Sequence, residues 1–111
     1  MTRPISIGMN LTTAAPTTIY TVPLGYFAKW NLMYLFNNTG STKAISVYWR
    51  DSSAAADLYV HNGTIAGGSY VRMDGGAYVV LEEGDTVVMQ EEAGSSFSTI
   101  CTFELFKKEG I

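Results

Sequence analysis

The sequence has few of the residues on which enzymes and metal sites depend. Its 111 residues include one cysteine, Cys101, one histidine, His61, and three prolines. A single cysteine excludes an internal disulfide, and one cysteine with one histidine cannot supply the usual three or four nitrogen and sulfur ligands of a zinc site. One histidine also leaves little for general acid–base catalysis. We therefore expect a protein that is not an enzyme, with no catalytic residues, no metal and no cofactor.

Charged residues are also scarce. Charged residues make up 15% of the chain, against about 25% in a typical soluble domain. The net charge is −3 and the seven basic residues are scattered, whereas nucleic-acid-binding proteins concentrate theirs in a patch. No apolar run approaches the roughly 18 residues that span a membrane, and the first 20 residues do not resemble a signal peptide. We expect no nucleic acid and no membrane as partners, and a surface partly covered by other chains.

The apolar residues that are present, 47% of the chain, repeat mostly with the two-residue period of β-strands. Residues 28–50 show this best and are predicted to form two long strands, joined as a hairpin by an Asn-Asn-Thr-Gly turn at residues 37–40. One face of the first strand is predicted to carry Ala28, Trp30, Leu32, Tyr34 and Phe36. On the second strand, Ile45, Val47 and Trp49 are predicted to share a face.

Further strands are predicted at residues 5–9, 17–22, 58–61, 69–73, 77–81, 86–90 and 97–106, with turns at 23–25, 62–63, 74–76 and 82–85 and a surface loop at 51–57. Residues 78–81 are apolar throughout, so both faces of that strand are expected to be covered. Cys101 falls in an alternating run and is expected to be a small buried hydrophobe.

Eight or nine short strands in a chain of this length predict one all-β domain over residues 1–111, an antiparallel β-sandwich of the jelly-roll type. An immunoglobulin-like sandwich is the main alternative, although the Cys…Trp…Cys spacing of true immunoglobulin domains is missing. Residues 1–16 are either part of the sandwich or an extended arm that pairs with a neighbouring subunit.

The titratable residues fall beside predicted turns. His61 precedes the predicted turn at residues 62–63 and is expected to be solvated. The acidic residues around the strand at 86–90 are Glu82, Glu83, Asp85, Glu91 and Glu92. Paired carboxylates can catalyse glycoside hydrolysis, and clustered ones can bind Ca²⁺, but the spacing of known calcium loops is missing. We interpret these five residues as a solvated rim.

Two tyrosines are the best aromatic candidates for a contact between chains. Tyr48 and Tyr59 are expected to point away from the buried faces of their strands, and aromatic residues are enriched at protein interfaces. A sugar-binding platform of exposed aromatic rings is the alternative interpretation.

Three motifs lie at the predicted turns. They are Thr21-Val22-Pro23-Leu24-Gly25, Phe36-Asn37-Asn38-Thr39-Gly40 and Leu81-Glu82-Glu83-Gly84-Asp85-Thr86-Val87. Across residues 17–105 the chain resembles small all-β structural proteins of tailed bacteriophages, in which a Thr-Val-Pro-x-Gly opening, an Asn-Asn-Thr-Gly turn and a Leu-x-x-Gly-Asp segment recur. The resemblance implies a jelly-roll-like virion component without catalytic residues, either a capsid decoration (cement) protein or a head–tail or tail module.

As a decoration protein, the chain would stabilise the phage head by bridging neighbouring capsid subunits. The resemblance implies the major capsid protein or other virion proteins as partners, a homo-oligomer that by analogy is a trimer, and a location in the virion after assembly in the bacterial cytoplasm. The contact residues expected on this basis are Arg3, Ile5, Ile7, Met9, Asp51 and Asp57, together with Tyr48 and Tyr59. A tail or neck module, or a carbohydrate- or receptor-binding β-sandwich, is the alternative.

Overall fold

A computed structural model describes residues 2–74 and 79–109 of the chain. Within these ranges the structure consists of nine β-strands joined by turns and loops. They are β1 (Thr2–Leu11), β2 (Thr17–Thr21), β3 (Tyr26–Asn37), β4 (Lys43–Asp51), β5 (Ala56–Ile65), β6 (Tyr70–Met73), β7 (Val79–Leu81), β8 (Thr86–Glu91) and β9 (Phe97–Lys107). Most of the turn predicted at residues 74–76 and the first part of the strand predicted at 77–81 lie outside the described residues.

The strands form two antiparallel sheets. The first has the order β1-β9-β3-β6, with β7 also paired to β3, and the second has the order β2-β8-β4-β5. β6 and β7 pair with residues 33–36 and 28–30 of β3, so they form one edge of the sheet in two segments. Two packed sheets in this strand order make a jelly roll. The prediction of an antiparallel, jelly-roll-like β-sandwich is confirmed.

The hairpin predicted for residues 28–50 is wrong in its pairing. β3 pairs with β9, β6 and β7, whereas β4 belongs to the other sheet. Trp30 and Leu35 of β3 and Ile45 and Val47 of β4 are all buried in the same core, which they reach from opposite sheets. Alternation identifies the apolar face of a strand but not its partner, because packing between two sheets covers that face as well as a hairpin would.

A β-bulge at Asn31 divides β3 into two halves. The register with β9 shifts between Trp30 and Leu32, and an extra residue at this point reverses the alternation of inward and outward side chains. The indole Nε1 of Trp30 donates a hydrogen bond to the Leu32 carbonyl at 3.0 Å across the bulge. Beyond it, Met33 and Leu35 are buried, so the prediction of one apolar face along the whole strand is wrong. The side chains that face outward instead are Leu32, Tyr34 and Phe36.

Two further predictions fail at the sheet edges. β5 runs without interruption through residues 62–63, where the sequence predicts a tight turn. A continuous ladder with β4 keeps this segment extended, and the Ser46 hydroxyl donates a hydrogen bond to the Asn62 side chain at 2.9 Å. Val80 is 41% exposed, although its strand is predicted to be covered on both faces. It lies at a sheet edge and points to the outer side.

One cluster of apolar side chains fills the space between the sheets. Its largest fully buried members are Trp30, Phe97, Phe103, Met33 and Leu35. Cys101 is also fully buried, as predicted. The turns at residues 23–25 and 82–85 and the loop between β4 and β5 are present where the sequence predicts them. β1 pairs with β9 along its whole length, and its other side is an edge of the first sheet.

Candidate interaction surfaces

The residues that carry chemistry are dispersed over the described part of the chain. No group of three or more His, Cys, Asp or Glu side chains is placed to hold a metal ion within residues 2–74 and 79–109. The same ranges contain no helix long and apolar enough to cross a membrane. His61 lies within β5 opposite Val47 and is half-buried, so the prediction of a solvated turn histidine is wrong. Its Nε2 atom is buried without a hydrogen-bond partner among the described residues.

Asp85 is a buried carboxylate and not part of a solvated rim. It accepts hydrogen bonds from the backbone N–H groups of Ser52 at 3.0 Å and Glu82 at 2.9 Å. The Ser52 hydroxyl and the indole of Trp49 donate two more, each at 3.0 Å. Burial alone would raise the pKa of Asp85, but these hydrogen bonds outweigh burial and hold the pKa below its usual 3.8. Asp85 therefore connects the β4–β5 loop to the β7–β8 turn.

Glu91, the last residue of β8, is the second exception to the predicted rim. It lies opposite Ile45 of β4, faces the core and is 2% exposed. Neither of its carboxyl oxygens has a hydrogen-bond partner in residues 2–74 and 79–109. Burial raises the pKa of Glu91 above its usual 4.5, and the nearby backbone amides of Glu91 and Thr13 offset this only in part. The surroundings therefore favour the neutral, protonated carboxyl group.

The outer face of the first sheet carries a set of apolar side chains that we call the outer-sheet cluster. Its members are Phe27, Tyr34, Phe36, Tyr70, Val80, Ile100 and Phe106. Tyr70 is 54% exposed and Ile100 is 44% exposed. The rings of Tyr34 and Tyr70 have centroids 5.3 Å apart, and those of Phe27 and Phe106 stack at 4.9 Å. The apolar side chains thus form two groups on this face, and grouped exposed apolar surface marks interaction sites more often than scattered single residues do.

The charges beside the outer-sheet cluster are offset locally. Arg72 of β6 forms an ion pair with Asp74 at 3.1 Å. Lys29 lies opposite Glu104 in the register of β3 and β9, and its ammonium group is 5.2 Å from the centre of the Phe106 ring. The face therefore combines apolar side chains with little net charge.

Alternation alone does not identify the outer-sheet cluster. The bulge at Asn31 turns Tyr34 outward, and nothing in the alternating pattern shows that phase change. One signal was present in β9, where Ile100 and Phe106 are in phase with polar residues and out of phase with the buried ones. An apolar residue in the polar phase of a strand is the feature that indicates an exposed apolar face.

The two tyrosines expected at an interface lie together on the outer face of the second sheet. Their rings are 5.4 Å apart, and Tyr59 is 58% exposed while Tyr48 is only 7% exposed. Arg50 lies 5.9 Å from the Tyr48 ring and is held by Asp57 through contacts of 2.7 and 3.0 Å. Asp51 accepts hydrogen bonds from groups within the β4–β5 loop. Of this group, Tyr59 offers the most surface to a partner.

The other predicted contact residues lie on β1. Ile5, Ile7 and Met9 point inward and pack against the core, but they are only partly buried because β1 is an edge strand. Arg3 is exposed at the start of β1 and lines a pocket of about 170 Å³. The residues lining this pocket are Arg3, Tyr26, Leu105 and Lys107.

Comparison of the sequence with protein-family models and with curated proteins found no match. Comparison with solved structures found similar folds in two phage capsids. A chain in the capsid of Helicobacter pylori bacteriophage KHP30 has a TM-score of 0.62 and 10% identity, over 97% of this chain and 95% of that one. A chain in the cyanophage Pam1 capsid has a TM-score of 0.52 and 19% identity, over 96% of this chain and 85% of that one.

A third similar structure is not viral. The endospore appendages of Bacillus, described as a family of disulfide-linked pili, contain a chain with a TM-score of 0.58 and 16% identity, over 96% of this chain and 88% of that one. At such low identities these similarities establish the fold, which capsid and pilus proteins share. The chain is a jelly-roll β-sandwich over nearly its whole length.

Proposed function

We propose that this protein is a non-enzymatic structural component of a bacteriophage virion, and more specifically a capsid decoration (cement) protein that bridges neighbouring capsid subunits. The observation that carries the proposal is the outer-sheet cluster, a largely apolar and locally neutral face. Its exposed side chains include Tyr70, Val80 and Ile100. Such a face is suited to contact with another protein. The likeness to chains in two phage capsids and the turn motifs of the sequence support a virion as the setting.

The mechanism is mechanical. A decoration protein adds contacts across the joints between capsid subunits, so more free energy is needed to separate them under the pressure of packaged DNA. An interface of standard size buries about 1,600 Å² in total. Because the contact repeats over many copies, a modest gain at each joint becomes large for the whole shell.

The test compares particles from the phage that encodes the chain with particles in which its gene is deleted. We expect the deleted particles to release DNA at a lower temperature and the purified protein to bind them and restore the release temperature. Ile100→Lys should abolish binding, because it places a charge inside the outer-sheet cluster. Thr64→Lys is the matched control, since Thr64 is an exposed residue on the other sheet. Equal binding of both variants would contradict the role of the cluster, and absence of the protein from particles would refute the virion assignment.

A second candidate is a receptor-binding module for acidic sugars, and the pocket at Arg3 favours it. Arg3 and Lys107 line the pocket together with Tyr26, and neither cation has an acidic partner within 4 Å in the described ranges. Two cations and an aromatic ring suit a sugar carboxylate. Binding on a glycan array that is lost in Arg3→Ser would support this candidate.

A further inference from the structure

Over residues 5–11, β1 differs from the other sheet edges in having no feature that blocks strand addition. Residues 5–11 of β1 contain no charged residue and no proline, and they pair with β9 in an unbroken register. Natural sheets protect exposed edges with charges, prolines, bulges or short strands, because an open edge recruits another strand.

The remaining edges in the described ranges carry such protection. β2 has five residues and a bulge at Ile19. β5 has a bulge at Val60 and the ion-paired Asp57 near its start. β6 and β7 have only four and three residues.

Pro4 shows which backbone groups of β1 face the open edge. It lies opposite Glu104 in the intact ladder, and a proline fits there only if its nitrogen points away from the partner strand. Backbone groups alternate in direction along a strand, so the N–H and C=O groups of Ser6, Gly8 and Asn10 also point outward from the edge. Their side chains do not compete for these groups. The Ser6 hydroxyl lies 3.0 Å from that of Thr102, and Asn10 accepts a hydrogen bond from Ser98 at 3.0 Å.

Gly8 is a second, independent indication. A Cβ atom at this position would come no closer than 4.0 Å to any neighbouring atom, the Thr99 carbonyl oxygen, so the fold of the chain does not require glycine there. Glycine within a strand costs stability and often marks a place where another backbone approaches.

We propose that β1 pairs in antiparallel fashion with β1 of a second copy of this chain, on a two-fold axis at Gly8. In this register Ser6 lies opposite the second copy's Asn10, Gly8 opposite the second copy's Gly8, and Asn10 opposite the second copy's Ser6. All three are reciprocal pairs that use the outward backbone groups.

The inward side chains also match under this symmetry. Ile5, Ile7 and Met9 are only partly buried in one copy, and pairing brings the same apolar row from the second copy against them. A row of neutral, apolar residues is complementary to itself, as an isologous interface requires. The arrangement is two-fold, whereas the analogy with decoration proteins gives a trimer. It deepens the proposed function by naming one partner of the chain.

Cross-linking of the purified protein tests this geometry. Hydrogen-bonded pairs have Cα atoms about 5.5 Å apart, which lies within the range of a disulfide. Gly8→Cys should therefore form a disulfide-linked dimer under mild oxidation. Thr64→Cys, on the edge strand β5, is the control and should form little disulfide-linked dimer. Cross-linking of Gly8→Cys no faster than Thr64→Cys would overturn the proposal.

Light scattering over a range of concentrations supplies a second test. Ser6→Pro removes one open N–H from each copy and should weaken the dimer by roughly tenfold or more. Ser6→Ala keeps the N–H and removes the same hydroxyl, so it should leave the dimer intact. A wild-type monomer or a trimer would refute the two-fold pairing. Neither test needs a particle, so the two proposals can fail separately. A protein that does not dimerise but attaches to particles refutes the β1 pairing and leaves the virion role standing. A protein that dimerises but never attaches to particles refutes the virion role and leaves the β1 pairing standing.

Discussion

The indole Nε1 of Trp49 donates a hydrogen bond of 3.0 Å to Oδ2 of Asp85. Trp49 belongs to β4, and Asp85 lies in the turn that leads into β8, so the bond spans two neighbouring strands of the second sheet. The backbone N–H of Ser52 reaches the other oxygen of the same carboxylate. One buried side chain thus organises the β4–β5 loop and the β7–β8 turn.

Replacing Asp85 should destabilise the fold. In Asp85→Asn the amide group faces N–H donors that need an acceptor, and we expect a loss of about 2–4 kcal/mol in the free energy of unfolding. Denaturant unfolding followed by tryptophan fluorescence measures this loss. Asp57→Asn, which breaks only the exposed pair with Arg50, is the control and should have a much smaller effect. Because the pKa of Asp85 is lowered, its contribution is present above pH 3.8 and is lost as the pH falls through the lowered pKa.

Glu91 should produce the opposite dependence on pH. Its pKa is raised in the folded state, so the stability contributed by its neutral form is complete below pH 4.5 and is lost as the pH rises through the raised pKa. Glu91→Gln should therefore stabilise the protein at neutral pH, by on the order of 1 kcal/mol, and have little effect at pH 4. The melting temperatures of the wild type and of Glu91→Gln, measured between pH 4 and neutral pH, give this difference in stability. Both proteins contain Asp85, so its own dependence on pH cancels in the comparison. An equal effect at both pH values would contradict the assignment.

Gly67 should tolerate no side chain. A Cβ atom there would lie 2.5 Å from the carbonyl carbon of Gly40 and 2.6 Å from the backbone nitrogen of Ser41, and backbone atoms cannot move away cheaply. Gly67→Ala should lower the free energy of unfolding by about 1–3 kcal/mol. Gly63→Ala is the matched control, because nothing lies within 4 Å of its Cβ position. Similar free energies of unfolding for the two variants would contradict this prediction, because they would show that the backbone at Gly40 and Ser41 moves away from the added Cβ at little cost.

Cys101 should be unreactive in the native protein. Its thiol is fully buried, and burial raises the pKa of Cys101 to about 11, so little thiolate exists at pH 8. A thiol-specific reagent should label it only after denaturation. The exposed thiol of the Thr64→Cys variant should react at once, which provides a comparison. Rapid labelling of native Cys101 would indicate frequent opening of the core.

The sequence predicts where strands lie better than how they pair. The alternation around Ile45 and Val47 locates β4 and its buried face, because burial of one face is a local property of a strand. The pairing of β3 with β9 depends on contacts across most of the chain length, and no local pattern contains that information. The bulge at Asn31 is equally hidden, since one extra residue changes the phase without interrupting the strand.

The burial of polar side chains is also not predicted from the sequence. The turn at residues 82–85 is visible in its Glu-Glu-Gly-Asp sequence, but the donors that stabilise Asp85 include Trp49 and Ser52, more than 30 positions earlier in the chain. The outer-sheet cluster can be predicted in part from Ile100, because it is an apolar residue in the polar phase of β9. Its partners on β3 and β6 became adjacent only through the sheet order.

The unequal protection of the sheet edges limits how many other strands this molecule can add. Among the edges within the described ranges, only that of β1 lacks a bulge, an ion pair or a short strand as a barrier, so a copy offers one site for strand addition and not two. Two open edges would let copies add end to end into a growing filament, whereas one edge used on a two-fold axis ends growth at a pair.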